Sequence, residues 1–369
     1  MTELRSSSGD AVGVVRPRAL LEGVSLYLPD DEPCVVDLSD NTNLWGMPPA
    51  AVRELRALSS GAVARYPATY SEQLRQALAR HCSVTPDMVV TGCGSDDLLD
   101  ATIRAFGEPG SAVAHVDPTF TMIPTFARLN GLVPRAVPLT SSYDVDVSAI
   151  LAEDPSIVYL CSPNNPTGTR LARESIVRTI DESRCIVIVD EAYAEFAGES
   201  VADLLSRSDR LLVSRTFSKA YGLAGLRVGY MLGAPGAIAA ISKVRGPYKV
   251  NVVGERAALA ALVEDQEWVA ARVADAIEIR DRVLDALRTI GLEPLPSSAN
   301  FVLVPMGKAP DVAAAMRKKG VLVRAFRNLS PIDPALRASD GAALRIGVGP
   351  WEQMTVAIQV LREAIATCA

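Results

Sequence analysis

The sequence predicts an α/β protein: a large domain with a mainly parallel seven-stranded sheet sandwiched by helices, then a smaller α+β domain. Three observations point there. Apolar, β-branched runs alternate with helical patterns from about residue 52 to residue 246, as in a parallel sheet covered on both faces. Five polar clusters stand just after these runs, where open sheets of this kind bind ligands. From about residue 255 long helical patterns alternate with short strands instead.

In chain order, residues 1 to about 15 are rich in Ser and Gly without a regular period and read as a mobile arm. The stretch up to Pro49, broken by Pro29, Pro33 and Pro48, reads as a docking segment. The expected limits are 1–45 for arm and docking segment, 46–254 for the large domain and 255–369 for the small one. The seven strands are expected at Met88–Val90, Ala112–Val116, Leu132–Val137, Ile157–Leu160, Cys185–Val189, Leu211–Val213 and Arg227–Met231. In the small domain, helices are expected over Glu267–Leu287, Val312–Lys319 and Glu352–Ile365, and strands around Phe301–Val304, Val321–Arg324 and Leu344–Val348. No repeat or low-complexity segment interrupts this order.

Composition narrows the function. A chain of 369 residues with 49% hydrophobic and 22% charged residues has the balance of a soluble globular protein. A formal net charge of -6, with no long basic run, argues against nucleic acid as a partner. Only His81 and His115 could serve as histidine ligands, and neither has a partner at metal-site spacing, so no metal is expected. Six cysteines without paired short spacing read as reduced thiols. With no signal peptide and no apolar stretch long enough to span a bilayer, the expected location is the cytoplasm, away from membranes.

The polar clusters carry the chemistry. Lys219 lies in SRTFSKAYGLAGLRVGY, directly behind the apolar run Leu211–Val213, where burial and a nearby cation would lower its pKa and favour Schiff-base formation. GCGSDD, Gly92–Asp97, follows a strand and opens a helix, so its main-chain N–H groups can face an anion. SPNNPTG, Ser162–Gly168, and VDEAY, Val189–Tyr193, are polar tips on two further strands. Clusters spread over more than a hundred residues thus converge on one crevice.

In this order and with these gaps, SPNNPTG, DEAY and RTFSKAYGLAGLRVGY resemble the fold-type I pyridoxal 5'-phosphate enzymes, most closely the histidinol-phosphate aminotransferases, over nearly the whole chain from Arg16 onward. The resemblance implies roles residue by residue. Lys219 would bind the cofactor as a Schiff base and, once released, shuttle the substrate's proton; Asp190 would keep the ring nitrogen protonated. Tyr193 and Asn165 would hydrogen-bond the cofactor's phenolic oxygen. Thr216, Ser218 and Arg227 would hold its phosphate, with main-chain donors from Gly94, Ser95 and Asp96. Phe120 would lie against the ring where the family usually has Tyr. Tyr66 would reach the phosphate in the neighbouring subunit, which implies a homodimer.

On the substrate side, the resemblance implies Arg345 for a carboxylate and Arg324 for the far end of the donor. Trp45, in NTNLWG where the family pattern is NENPYG, would border the side-chain pocket. The implied reaction transfers nitrogen between histidinol phosphate and 2-oxoglutarate or glutamate. Aromatic amino acid transamination is an alternative, and a lyase activity resembling threonine-phosphate decarboxylase is a further one.

Overall fold

The structure, a computed structural model, describes residues 18–21, 24 and 33–368. The expected arm at residues 1–15 lies outside the described residues. Twelve strands are present among those described: β1 (Val36–Asp37), β2 (Val89–Cys93), β3 (Ala112–Asp117), β4 (Val133–Pro138), β5 (Ile157–Cys161), β6 (Ile186–Asp190), β7 (Leu211–Thr216), β8 (Val228–Gly233), β9 (Phe301–Pro305), β10 (Val321–Leu322), β11 (Arg324–Phe326) and β12 (Ala343–Gly347).

The seven expected strands of the large sheet all form, in the order β2-β8-β7-β6-β5-β3-β4. All pairs are parallel except those of β8, which runs antiparallel to both neighbours. The central strands are apolar at nearly every position because helices cover both faces. On one face Ile157, Tyr159, Ile188, Leu212 and Met231 pack with Leu98 and Leu99 of helix Gly94–Phe106. Val158, Leu160, Val187, Val189, Leu211 and Val213 enter the core on the other face. Pro134 and Pro138 fall on β4, the edge strand, where a missing N–H disrupts least.

A second, three-stranded antiparallel sheet has the order β11-β12-β9. Its period of two decides which core each residue joins. Phe301, Leu303 and Ala343 face the core of the large sheet, whereas Val302, Val304, Leu344 and Ile346 face a separate core built on helices Gln266–Thr289, Ala309–Lys318 and Trp351–Cys368.

The strand expected at Val321–Arg324 divides in two. β10 pairs with β1 in parallel, and β11 pairs with β12. The docking segment thereby joins the smaller unit through Val36 and Asp37. Helix Val252–Glu264 lies against helices Pro49–Arg56 and Glu72–His81. Within helix Gln266–Thr289, Val269 and Ala276 belong to the large core and Ile279 and Val283 to the small one. Among the described residues no helix is long and apolar enough to cross a membrane.

Candidate active site

The polar ends of β5, β6 and β7, the start of helix Gly94–Phe106 and residues 40–42 enclose a cavity of about 490 Å³. Lys219, Asp190, Tyr193, Ser95, Asp96, Phe120, Asn165, Thr216, Ser218, Arg227, Arg324 and Arg345 all line it.

At one end stands an anion cradle. Helix Gly94–Phe106 starts directly after β2, so its first N–H groups have no helical partner. Gly94 has φ +78°, and a Cβ there would stand 2.6 Å from Arg227 Nη2. Gly229 on β8 presses equally close, since a Cβ would lie 2.4 Å from the Ser95 nitrogen. Arg227 Nη1 donates to Ser218 Oγ at 3.4 Å, and the Ser218 N–H donates to Thr216 Oγ1 at 3.1 Å. Burial raises the Asp96 pKa against the opposing pull of Arg227 and Lys219. The set offers two hydroxyls, a guanidinium and a helix start to one anion.

Lys219 sits three residues past the end of β7, with Nζ donating to the Asp40 carbonyl at 2.7 Å. Desolvation, reinforced by the Arg345 charge, brings its pKa down to about 8. An amine so placed is partly neutral near physiological pH and can act as nucleophile or base. Across the cavity Asp190 ends β6, only 4% exposed. Burial raises its pKa to about 6, although Tyr159 Oη donates to its Oδ2 at 2.8 Å and the Ala192 N–H to its Oδ1 at 3.2 Å. A buried carboxylate in that condition favours a cation or proton donor placed in the cavity.

Tyr193 lies beneath Lys219, whose Nζ is 5.7 Å from the ring centroid. Its hydroxyl accepts from Asn41 Nδ2 at 3.1 Å, so its own proton remains for another acceptor. Burial pushes the Tyr193 pKa up to about 12, which keeps that proton in place. Arg345 is buried on β12; Nη1 donates to Asn165 Oδ1 at 2.6 Å and Nη2 to the Ser39 carbonyl. Its guanidinium stands over Phe301 and Phe326, 5.5 and 5.8 Å from their centroids. Arg324 is the direct cross-strand partner of Arg345, which sets two cations side by side at this end.

Two expected side chains are not part of the lining. Trp45 is half-buried against both apolar cores, and its neighbours Asp40, Asn41 and Thr42 line the cavity instead. The physical reason is that its large ring gains more from filling the seam between the cores than from a wet crevice. Tyr66 is 83% exposed, with its ring stacked on Tyr248 at 4.8 Å, outside this chain's own cavity. Sequence reasoning missed Asp40, Asn41 and Tyr159. Asn41 carries a signal only in hindsight, as a polar residue inside NTNLWG, and Tyr159 carries none, because an aromatic in an apolar strand reads as core. Among the described residues no group of three or more His, Cys, Asp or Glu could hold a metal ion.

Comparison with known proteins identifies the family. Residues 33–361 match the family "Aminotransferase class I and II". A histidinol-phosphate aminotransferase of Methylibium petroleiphilum is 40% identical over 341 residues, 89% of this chain and 88% of that one. The corresponding enzyme of Roseiflexus castenholzii is 38% identical over 343 residues, 89% of each chain. Among solved structures, the histidinol-phosphate aminotransferase of Sinorhizobium meliloti in complex with pyridoxal-5'-phosphate superposes with a TM-score of 0.85 at 27% identity, covering 97% of this chain and 100% of that one. The chain belongs to the class I and II aminotransferases.

Proposed function

We propose that this aminotransferase takes the amino group of histidinol phosphate and delivers it to 2-oxoglutarate, with glutamate as product. The observation that carries the substrate reading is the cross-strand pair of Arg324 and Arg345, two cations on one sheet face at the cavity. A donor ending in a phosphate and an acceptor with two carboxylates both require cations at that place.

The cofactor is pyridoxal 5'-phosphate, and the residues present fit it. The anion cradle suits its phosphate and Asp190 suits its protonated ring nitrogen. Lys219 suits its aldehyde, Tyr193 and Asn165 its phenolic oxygen, and Phe120 a ring face. When bound, this group supplies an electron-withdrawing ring that makes the substrate's α-hydrogen acidic. The remaining work falls to the chain. Lys219 Nζ in its neutral form takes the proton from the substrate's α-carbon and returns it within the same crevice. Asn41 holds the Tyr193 hydroxyl and Arg345 the Asn165 side-chain oxygen, so the phenol proton and the amide NH2 are the groups these two residues have to donate. Arg345 fixes the carboxylate of the 2-oxo acid, and Arg324 reaches the phosphate of the donor.

We also propose a homodimer in which Tyr66 completes the phosphate cradle of the second subunit. Tyr66 and Tyr248, stacked and exposed, leave an aromatic surface suited to a second copy. All six cysteines are free thiols, which suits the cytoplasm as the place of action.

The test follows the absorption of the cofactor-loaded protein during single additions of histidinol phosphate, phenylalanine, glutamate and threonine phosphate. Fastest bleaching of the visible band by histidinol phosphate supports the reading. A preference for phenylalanine would move the substrate to the aromatic amino acids, and release of carbon dioxide from threonine phosphate would replace transfer with decarboxylation.

A further inference from the structure

Tyr159 stands in the middle of β5 and is fully buried. Ile157 and Cys161 share its face of the strand, and its cross-strand partner is Ile188 on β6. Every requirement of that packing would be met by phenylalanine. A hydroxyl placed there carries a desolvation cost unless it finds an acceptor. The acceptor is Asp190 Oδ2, 2.8 Å away. Register explains the meeting, because Cys161 is paired with Asp190, one pleat above Tyr159 on the same face. The other carboxylate oxygen is taken by the Ala192 N–H at 3.2 Å, so two donors on opposite sides set the plane of the group.

We propose that Tyr159 is a positioning residue of the amino-transfer site, fixing the Asp190 carboxylate toward the cofactor's ring nitrogen. The inference rests on the reading of Asp190 given above. Tyr159 does not line the cavity; its hydroxyl, which also stands beside the Cys161 thiol, reaches the site through Asp190. Its hydrogen bond favours the charged form of a carboxylate that burial pushes toward the neutral one. Cys161, also beside Asp190, is itself held neutral by burial and supplies no charge. A carboxylate kept charged and correctly turned holds a protonated ring nitrogen more strongly than it holds a ring lacking that nitrogen.

The experiment compares Tyr159→Phe with the unaltered apoenzyme in equilibrium titrations with pyridoxal 5'-phosphate and with its 1-deaza analogue, in which CH replaces the ring nitrogen. The expected result is an affinity for pyridoxal 5'-phosphate weakened about tenfold and an affinity for the analogue changed by less than about twofold. In an Asp190→Asn background the same substitution should leave cofactor affinity unchanged. Equal losses for the two ligands would overturn the proposal, as would no loss for either, or a further tenfold loss in the Asp190→Asn background. If the unaltered enzyme binds both ligands equally, the Asp190 reading and the Tyr159 role fall together. Failure to bind pyridoxal 5'-phosphate at all would sink the cofactor assignment itself.

Discussion

Removing Arg324 separates the two ends of the substrate site. The register of β11 and β12 places it directly opposite Arg345, so two guanidinium groups emerge together on the cavity face. Like charges in such a pair oppose strand pairing by up to about 1 kcal/mol. Arg324→Ala should therefore leave the fold intact, with Tm within about 3 °C of the parent. Its cost should appear with substrates that carry an anion on the side chain, the phosphorylated donor first. One charge-assisted hydrogen bond contributes about 1.5–3 kcal/mol, so kcat/KM for histidinol phosphate should fall about 10- to 150-fold. Phenylalanine, held at its carboxylate by Arg345 and carrying no side-chain charge for Arg324, should lose less than about threefold by the same reasoning. Each half-reaction is measured alone, under single-turnover conditions, from the change in cofactor absorption. Equal losses for histidinol phosphate and phenylalanine would refute the division of labour and make Arg324 a structural residue.

Lys219→Ala should abolish turnover while the cofactor still binds noncovalently in the cradle of Ser95, Thr216, Ser218 and Arg227; turnover by the cofactor-loaded variant would remove Lys219 from its role. The rate at which apoenzyme captures pyridoxal 5'-phosphate should rise with pH and level off above about 8, because burial depresses the Lys219 pKa and only the neutral amine attacks. A rise that continues to pH 10 in stopped-flow traces would contradict that environment. For Tyr66, mixing inactive Lys219→Ala and Tyr66→Ala homodimers should restore about a quarter of the sites, since half of randomly paired dimers carry one complete site. No recovery after subunit exchange would place Tyr66 outside the partner's cradle.

The strands were legible in the sequence because a sheet covered on both faces must be apolar along its whole length. Val158, Val187 and Val213 show that pattern before any tertiary information is present. Arg227, which directly precedes β8, was marked only by the family resemblance, whereas Lys219, Asp190, Thr216, Ser218 and Asn165 were legible for a related reason. They follow such runs within a few residues, and the carboxyl ends of parallel strands open on one crevice. Arg345 could be marked from its place in an apolar strand.

Tertiary structure alone decided the rest. Whether a tryptophan fills a seam or borders a pocket depends on the gap between two cores, which places Trp45 away from the cavity. Asn41 reaches Tyr193 across 152 residues of chain, a contact that no local period encodes. Tyr159 looks like any core aromatic until strand register brings its hydroxyl to Asp190. Periodicity records which face of an element is buried, and that much the sequence determined by itself. Which polar atoms meet depends on how separate elements pack, so the partners of the reactive groups were settled only in three dimensions.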